Sequence, residues 1–250
     1  MRNLNQIKKM RLLGKIHRKI LTSVTDKVVS GMTTQQVDDL CKFYMDKHDV
    51  RSSCFQYKGF PGYCCVSVNE VACHGVPNSR VIREGDMVNV DIVINDNSVH
   101  TDASHMVLVG KCDADSVRLV ESAKKCMLAG ISKALPGNNL LDIAVAIEKA
   151  AHSCGYRVND TFCGHGIGKK MHQLPDVHCS VPNNVYELES LRNFVLKPGM
   201  TFTVEPIIMD GEVDVLTLED NWTVVSKDGK RSAQWEHTIL ITDSGNEILA

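Results

Sequence analysis

The segment from residue 87 to residue 110 constrains the fold most, because it predicts a hairpin carrying two acidic residues among apolar ones. Apolar residues alternate along both arms, and the polar run Asn95-Asp96-Asn97-Ser98 separates the arms, as in two antiparallel strands. A turn centred in the middle of this run places Asp91 directly opposite Asp102. Two carboxylates in that position have Cβ atoms roughly 4.5–5.5 Å apart and destabilise a sheet.

Two explanations of this acidic pair have to be separated. A β-bulge could turn one aspartate to solvent. Alternatively, a cation could lie between the two carboxylates and convert their repulsion into attraction. The decision between them depends on acidic residues elsewhere in the chain, and those favour the cation.

Length and composition limit the class of protein. At 250 residues and 43% hydrophobic content the chain can bury a full core, and we expect residues 1–250 to form one domain. A net charge of −2 gives no reason to expect DNA as a partner, and no apolar run approaches the 18 residues of a membrane span. The ten cysteines follow no signal peptide and form no Cys-x-x-Cys pair, so we interpret them as reduced thiols of a cytoplasmic protein.

The first 25 residues carry seven Lys or Arg and no Asp or Glu. Such a start could be an organellar transit peptide. Its apolar residues, however, keep helical spacing into the following segment, which favours a domain helix with a basic outer face. That basic face is a candidate contact for the ribosome exit region.

The predicted elements alternate between pairs of helices and groups of strands. The helices are expected over residues 4–30 with a stop near Gly31, from a Thr33/Gln36 capping box to near Asp49, over 113–135, and between an Asn139 cap and Gly155. The strands are expected as a pair over 63–76 turning at Asn69-Glu70, over 156–158 and 200–208, and as a last hairpin over 222–249 turning at Asp228-Gly229. This order predicts an α+β fold made of two related halves.

Three polar signals interrupt the second half. The motif Cys163-Gly-His165-Gly-Ile-Gly168 presents one imidazole between glycines, which let a backbone approach its neighbours closely. Glu205 and Glu236 each lie in an otherwise apolar strand, and the last hairpin should place Trp222 opposite Trp235, with an indole beside Glu236. Taken singly, such a glutamate usually pairs with an Arg or a backbone amide, and such a histidine is usually a core residue.

Together with the aspartate pair, these residues form a set of four carboxylates and one imidazole with few basic residues nearby. Burying four unpaired charges costs several kcal/mol each. Two divalent cations would cancel the charge of −4. The set therefore predicts a site for two metal ions, and an oxygen-rich donor set with one His fits Mn, Fe, Co or Zn.

Six motifs in fixed order carry these residues along nearly the whole chain. They are Asn69-Glu-Val-Ala-Cys-His74-Gly, Asn89-Val-Asp91, Thr101-Asp102-Ala-Ser104, Gly164-His165-Gly-Ile-Gly168, Lys197-Pro-Gly-Met-Thr-Phe-Thr-Val-Glu205-Pro206 and Gln234-Trp-Glu236-His237-Thr. The chain thereby resembles the type I methionine aminopeptidases, which have the pita-bread fold. The resemblance implies two pseudo-symmetric αβ halves around a central antiparallel sheet. It also implies the short bacterial or organellar form, without a zinc-finger extension or a long insertion.

The resemblance implies a role for each residue of the set. The implied ligands of two divalent metal ions are Asp91 on one metal, His165 and Glu205 on the other, and Asp102 and Glu236 bridging both. A hydroxide between the metals would attack the peptide carbonyl, since two cations lower the pKa of bound water. Glu205 would accept a proton, while His74 and His172 would contact the substrate amide and stabilise the tetrahedral intermediate. A solvent-facing loop residue is the alternative for His172.

The resemblance also implies a pocket for a methionine side chain, in which sulfur atoms and aromatic faces suit a thioether. Its residues would be Cys54, Tyr57, Phe60, Cys65, Met171 and Trp222, with His74 and His172 also contacting substrate. This chain departs from the family at Phe60, often tyrosine, at Met171, often phenylalanine, and at Thr101, where glycine is common. The loop over residues 181–194 is longer than usual.

The implied function is removal of the initiator methionine from nascent polypeptide N-termini whose second residue is small, by a cytoplasmic monomer. Two alternatives were considered. A proline-directed peptidase of the same fold usually carries an extra N-terminal domain, which is not expected here. A pita-bread binding protein without metals should lack ligands, whereas all five are present in this sequence.

Overall fold

The structure is a computed structural model that describes residues 2–250, with five α-helices and fifteen strands among them. The helices are α1 (Leu4–Thr25), α2 (Thr34–Lys47), α3 (Ala114–Ile131), α4 (Leu140–Ser153) and α5 (Val185–Asn193). The strands are β1 (Arg51–Ser52), β2 (Cys65–Val68), β3 (Val71–Cys73), β4 (Met87–Asn95), β5 (His100–Leu108), β6 (Arg157–Val158), β7 (Gly164–Gly166), β8 (Gln173–Val177), β9 (Thr201–Val204), β10 (Ile207–Met209), β11 (Val215–Thr217), β12 (Val224–Ser226), β13 (Ser232–Gln234), β14 (Glu236–Ile241) and β15 (Asn246–Ile248). No helix within residues 2–250 combines the length and the apolar character that a membrane crossing needs.

Side-chain caps begin the four long helices, including the two caps predicted at Thr33 and Asn139. Asn3, Thr33, Asp113 and Asn139 each accept a hydrogen bond from the backbone N–H three residues further on. Helix α1 is shorter than predicted, because after Thr25 the backbone bonds tighten to three-residue spacing and the chain then turns towards β3 and β4. The apolar spacing beyond its end is real, since Val28 still packs in the core.

A nine-stranded antiparallel sheet lies at the centre of the molecule, in the order β1-β4-β5-β14-β9-β7-β8, with β2 paired to β4 and β15 to β14. Two three-stranded sheets, β13-β10-β6 and β11-β12-β3, complete the strand pairing. Strands β4 and β5 follow the first helix pair, and β7 and β9 follow the second. Strand β14, from near the C-terminal end, lies between β5 and β9 and joins the two halves. The predicted α+β architecture is confirmed.

Two hydrophobic clusters match the two halves. One joins α1 and α2 to β2 and β4, and the other joins α3 and α4 to β9 and β14. Along β4 the residues Val88, Val90, Ile92 and Ile94 pack in the first cluster. Because side chains alternate along a strand, Asp91 faces the opposite side of the sheet, away from α1 and α2.

The predicted register of the β4–β5 hairpin is wrong. Asp91 pairs with Ser104 and Asp102 with Val93, so the two aspartates are diagonal neighbours on one face. The loop runs over residues 96–99, one residue further along than predicted, because the Asp96 carboxylate accepts hydrogen bonds from the N–H groups of Ser98 and Val99 and from the Ser98 hydroxyl. Neither aspartate turns outwards, which excludes the bulge explanation.

Two further predicted strand pairs do not form. Strands β2 and β3 lie in different sheets, because the Asn69 side chain bonds to Met87 N–H and Asp86 and ties the turn to the start of β4. Strands β12 and β13 also separate: the chain does turn at Asp228-Gly229, but β12 pairs with β3 and β13 pairs with β10.

Trp222 is consequently not opposite Trp235. The indole of Trp222 packs edge-on against Phe60 with ring centroids 5.2 Å apart. The indole of Trp235 donates instead to the Val120 carbonyl on α3. The segment over 181–194, predicted as a long loop, contains helix α5.

Candidate active site

A cavity of about 420 Å³ opens on the face of the central sheet that carries Asp91. All thirteen residues that the sequence singled out as metal ligands, catalytic groups or pocket residues line it. They come from both halves of the fold and from the loop between β1 and β2. The cavity has an acidic end on the central strands and an apolar, sulfur-containing wall beside it.

The acidic end is built by neighbouring strands. Asp91 lies on β4, Asp102 on β5, Glu236 on β14, and Glu205 directly after β9. His165, in the middle of β7, completes the row. Single carboxylate oxygens of Asp102 and Glu236 and one ring nitrogen of His165 all lie within 4.8 Å of one another. The Nε2 atom of His165 is 3.5 Å from Asp102 Oδ2 and 3.7 Å from Glu205 Oε1.

Buried oxygens without partners show that this end suits cations. Within residues 2–250, four buried side-chain atoms lack a hydrogen-bond partner, and three of them are carboxylate oxygens of Asp91, Asp102 and Glu236. Leaving a buried acceptor unpaired costs about 1–3 kcal/mol, and more for a charged group. Three such atoms converge in one cavity, so the donor set fits hard divalent ions.

The raised pKa values of the four carboxylates also favour bound cations. Burial, the largest cause, raises the pKa of Asp102 to about 7 and that of Glu205 to about 8, while it raises the pKa of Asp91 and of Glu236 well above the ordinary range. Repulsion from neighbouring carboxylates adds to the rise for Asp91, Glu205 and Glu236. Four carboxylates therefore cannot all ionise at neutral pH without compensating positive charge.

Two threonines support this end of the cavity, and the sequence analysis missed both. Thr203 donates to Glu205 Oε1 at 2.6 Å and accepts from the His165 N–H at 2.9 Å. The Thr238 hydroxyl accepts from the Asp102 N–H at 2.9 Å and donates to the Asp102 carbonyl at 2.7 Å. A signal for Thr203 was present, since it precedes Glu205 by two residues on a strand and so shares its face.

The glycines around His165 are required by close packing, as the sequence predicts. A Cβ atom on Gly164 would lie 2.5 Å from the Thr203 carbonyl oxygen, and one on Gly166 would lie 2.3 Å from the Leu174 carbonyl oxygen. Real Cβ atoms do not tolerate such distances to backbone. The two glycines thus allow β7 to fit between β9 and β8 with its imidazole in the cavity.

The apolar wall is a separate cluster of Cys54, Phe60, Cys65, Val93 and Met171, with Tyr57, Val76 and Trp222 packed against it. Cys65 lies directly opposite Asp91 in the β2–β4 register, so the wall begins beside the acidic end. The cavity is also lined by Lys58, Phe162 and Asp176, for which the sequence offered no signal.

Two histidines complete the cavity. His74 packs edge-on against Phe162 and Trp222, and burial lowers its pKa. His172 lies with its ring centroid 4.3 Å from that of His165, and its Nδ1 atom is 3.1 Å from the Tyr57 hydroxyl oxygen. Burial and the neighbouring imidazoles lower the pKa of His172 to about 4. His172 lies in the loop before β8 and is exposed to solvent, yet it also lines the cavity.

Comparisons with known proteins agree with this geometry. The sequence profile described as metallopeptidase family M24 matches residues 8–243. A methionine aminopeptidase of Escherichia coli (strain K12) is 38% identical over 246 residues, covering 97% of this chain and 90% of that protein. The crystal structure of methionine aminopeptidase from Rickettsia prowazekii superposes with a TM-score of 0.93 at 36% identity, covering 100% of this chain and 98% of that one.

A prolidase from Pyrococcus furiosus superposes with a TM-score of 0.76 at 19% identity, covering 100% of this chain and 64% of that one. At that identity the likeness establishes the fold alone. The pita-bread fold predicted from the motifs is confirmed by both structural matches.

Proposed function

The chain belongs to metallopeptidase family M24, and on that premise we propose that it is a methionine aminopeptidase acting on the N-termini of nascent polypeptides. One observation carries the proposal: a single cavity holds unpaired carboxylate oxygens at one end and a wall of thiol, thioether and aromatic groups beside it. The acidic end fits catalytic metal ions, and the wall fits an unbranched thioether side chain. The two are adjacent, as cleavage next to a methionine requires.

The acidic end would hold two divalent ions of the group Mn, Fe, Co and Zn. Their proposed ligands are Asp91, Asp102, His165, Glu205 and Glu236. Bound there, such ions supply Lewis acidity and lower the pKa of water to near neutrality. Thr203 holds the Glu205 side chain and the His165 backbone, and Thr238 holds the Asp102 backbone, which restrains these ligands before binding.

The remaining groups bind the substrate and move protons. The apolar wall receives the methionine side chain and excludes water from it. Glu205 accepts a proton at its carboxylate. His74 and His172 are neutral at physiological pH, because their pKa values are lowered, and each donates one N–H to the substrate amide. We expect substrates with a small second residue, and a monomer acting in the cytoplasm where new chains are released.

A peptide assay with chelation tests the function. We expect hydrolysis of Met-Ala-Ser after purification, loss of that hydrolysis with a chelator, and recovery when a single divalent transition metal is added. Metal analysis of protein purified without added metal identifies which ions it retains. Full activity of thoroughly chelated protein would contradict the metal assignment.

The same assay separates this proposal from a proline-directed peptidase, which shares only the fold at 19% identity. Ala-Pro dipeptides serve as the comparison substrate. Cleavage of Ala-Pro in preference to Met-Ala-Ser would refute the substrate assignment while leaving the metal centre intact.

A further inference from the structure

The loop that carries Tyr57 is held in an unusual backbone conformation beside the cavity. Gln56 and Lys58 have φ of +64° and +47°, and Gly59 follows with φ of +87°. A non-glycine residue in the left-handed region costs on the order of 1–3 kcal/mol and persists only when its surroundings hold it. Tyr57 stands between two such residues, so its side chain is placed by a strained and over-determined segment.

Ser52 holds this loop at its base. Its hydroxyl oxygen accepts from the N–H groups of Cys54 and Phe55, at 3.0 and 3.1 Å, and its hydroxyl donates to the Tyr63 carbonyl at 2.7 Å. Lys58 adds a second constraint, since its ammonium lies 5.4 Å from the centre of the Tyr57 ring. The Tyr57 hydroxyl is therefore a fixed group and not a mobile one.

The Tyr57 hydroxyl forms a hydrogen bond with His172. The Tyr57 oxygen is 3.1 Å from Nδ1 of His172, and the two rings are 5.4 Å apart at 59°. A neutral imidazole carries a proton on only one of its nitrogens, and the hydrogen bond at one nitrogen selects which. A phenolic hydroxyl can donate its O–H to a ring nitrogen. When it donates to Nδ1, the imidazole proton must be on Nε2.

The second nitrogen is the one available to substrate. His172 lines the cavity next to His165, and its Nδ1 is engaged by Tyr57. An Nε2–H group can donate to a carbonyl oxygen, whereas a bare Nε2 atom could only accept and would repel that oxygen. The choice of tautomer thus decides whether His172 helps or hinders at the substrate amide.

We propose that Tyr57 is a positioning residue for His172, whose hydroxyl fixes the Nε2–H tautomer that donates to the carbonyl oxygen of the substrate amide. This goes beyond its expected place in the wall of the methionine pocket. The inference rests on the proposed function for its catalytic consequence, but the tautomer itself is a property of the free protein.

The tautomer is measurable without any activity. Nitrogen-15 NMR of imidazole-labelled, metal-free protein distinguishes Nε2–H from Nδ1–H by the shifts of the two ring nitrogens. We expect His172 to be the Nε2–H form in wild type and a mixture of both forms in Tyr57→Phe. Tyr63→Phe is the matched control, since it removes the same atom from a ring that stacks on Phe55 and does not line the cavity. It should leave the His172 spectrum unchanged.

Kinetics test the consequence. Tyr57→Phe keeps the aromatic wall, so KM for Met-Ala-Ser should change less than twofold, while kcat should fall about tenfold, which corresponds to 1.36 kcal/mol. In a His172→Ala background the same Tyr57 substitution should have no further effect on kcat, because the group that it positions is gone.

Three results would overturn the inference: an Nδ1–H tautomer at His172 in wild type, an unchanged tautomer in Tyr57→Phe, or an equal loss of kcat with and without His172. A rise in KM with unchanged kcat would likewise assign Tyr57 to the pocket wall alone. If wild type cleaves no methionyl peptide, the proposed function fails, and the NMR result still decides whether Tyr57 sets the tautomer.

Discussion

Replacing Asp102 by Asn should stabilise the chelated protein at pH 8, although it removes a proposed metal ligand. Burial raises the pKa of Asp102 to about 7, above its ordinary value of 3.8. The native carboxyl therefore holds its proton more tightly than the unfolded one, so the free energy of unfolding of chelated wild type falls as pH rises from about 4 to about 7. An asparagine does not ionise and is spared this loss.

The magnitude follows from the shift. A rise of roughly three pKa units, at 1.36 kcal/mol per unit, gives about 4 kcal/mol for this carboxyl, whose side chain is only 6% exposed. Neighbouring carboxylates share protons with it, so we expect a net gain on the order of 1–4 kcal/mol at pH 8. Repulsion between directly opposed aspartates would give only about 0.2–1 kcal/mol. Since Asp91 is diagonal to Asp102, burial is the larger effect.

Thermal melts of wild type and Asp102→Asn measure this at pH 5 and pH 8, with chelator and with saturating metal. For a domain of this size each kcal/mol shifts Tm by about 2–4 °C. The gain should be full at pH 8 and less than half as large at pH 5. It should be reversed with metal, because weaker binding gives less ligand-linked stabilisation. Asp243→Asn, an exposed aspartate, is the control and should shift nothing. A chelated variant that melts at or below wild type at pH 8 would refute the reasoning.

Two further predictions concern the first helix. A change from glycine to alanine inside a helix normally stabilises it by about 1 kcal/mol. In Gly14→Ala, however, the new Cβ would clash with the Leu249 carbonyl, so we expect the free energy of unfolding to fall by more than 1 kcal/mol in chemical denaturation. A rise instead would show that α1 and the segment at Leu249 separate easily. His17 is fully buried and its Nδ1 atom forms a hydrogen bond with the Thr101 hydroxyl. Burial lowers the pKa of His17 to about 3. As pH drops below 6.5, the unfolded chain therefore binds a proton that the folded chain does not, and the free energy of unfolding falls. Between pH 6.5 and pH 4, the free energy of unfolding of chelated His17→Asn should therefore fall by several kcal/mol less than that of wild type. Parallel curves of unfolding free energy against pH for the two proteins would contradict a buried neutral His17.

Local signals in the sequence were sufficient for the four long helices and for the acidic residues of the cavity, but not for α5, whose segment was predicted as a loop. Asn3, Thr33, Asp113 and Asn139 all cap their helices through contacts within three residues. The acidic residues of the cavity were identifiable because a carboxylate in an apolar strand contradicts its surroundings. Both kinds of signal depend only on residues that are close together in the sequence, so they can be recognised without knowing the fold.

Strand partners were not accessible in the same way. Strand β12 leaves a well-formed turn and pairs with β3, which lies about 150 residues earlier, and no local pattern encodes that choice. The register of the β4–β5 hairpin depends on the Asp96 side chain. Its carboxylate accepts hydrogen bonds from two N–H groups and a hydroxyl, and this shifts the loop by one residue. A one-residue change of this kind is within reach of sequence reasoning only if such side-chain bonds are considered in advance.

The position of β14 in the sheet affects how the chain can fold during its synthesis. This strand leaves a ribosome after β5 and β9, yet it lies between them in the sheet. Until it inserts, each of those strands presents an open edge to other chains, and Asp102 lacks the Thr238 hydroxyl that holds its backbone. The acidic end of the cavity is thus complete only after β14 has inserted, since Glu236 lies on that strand. Completion of the sheet and acquisition of metal-binding capacity become one event, so a chain interrupted before residue 236 would be both inactive and prone to associate through its unpaired edges.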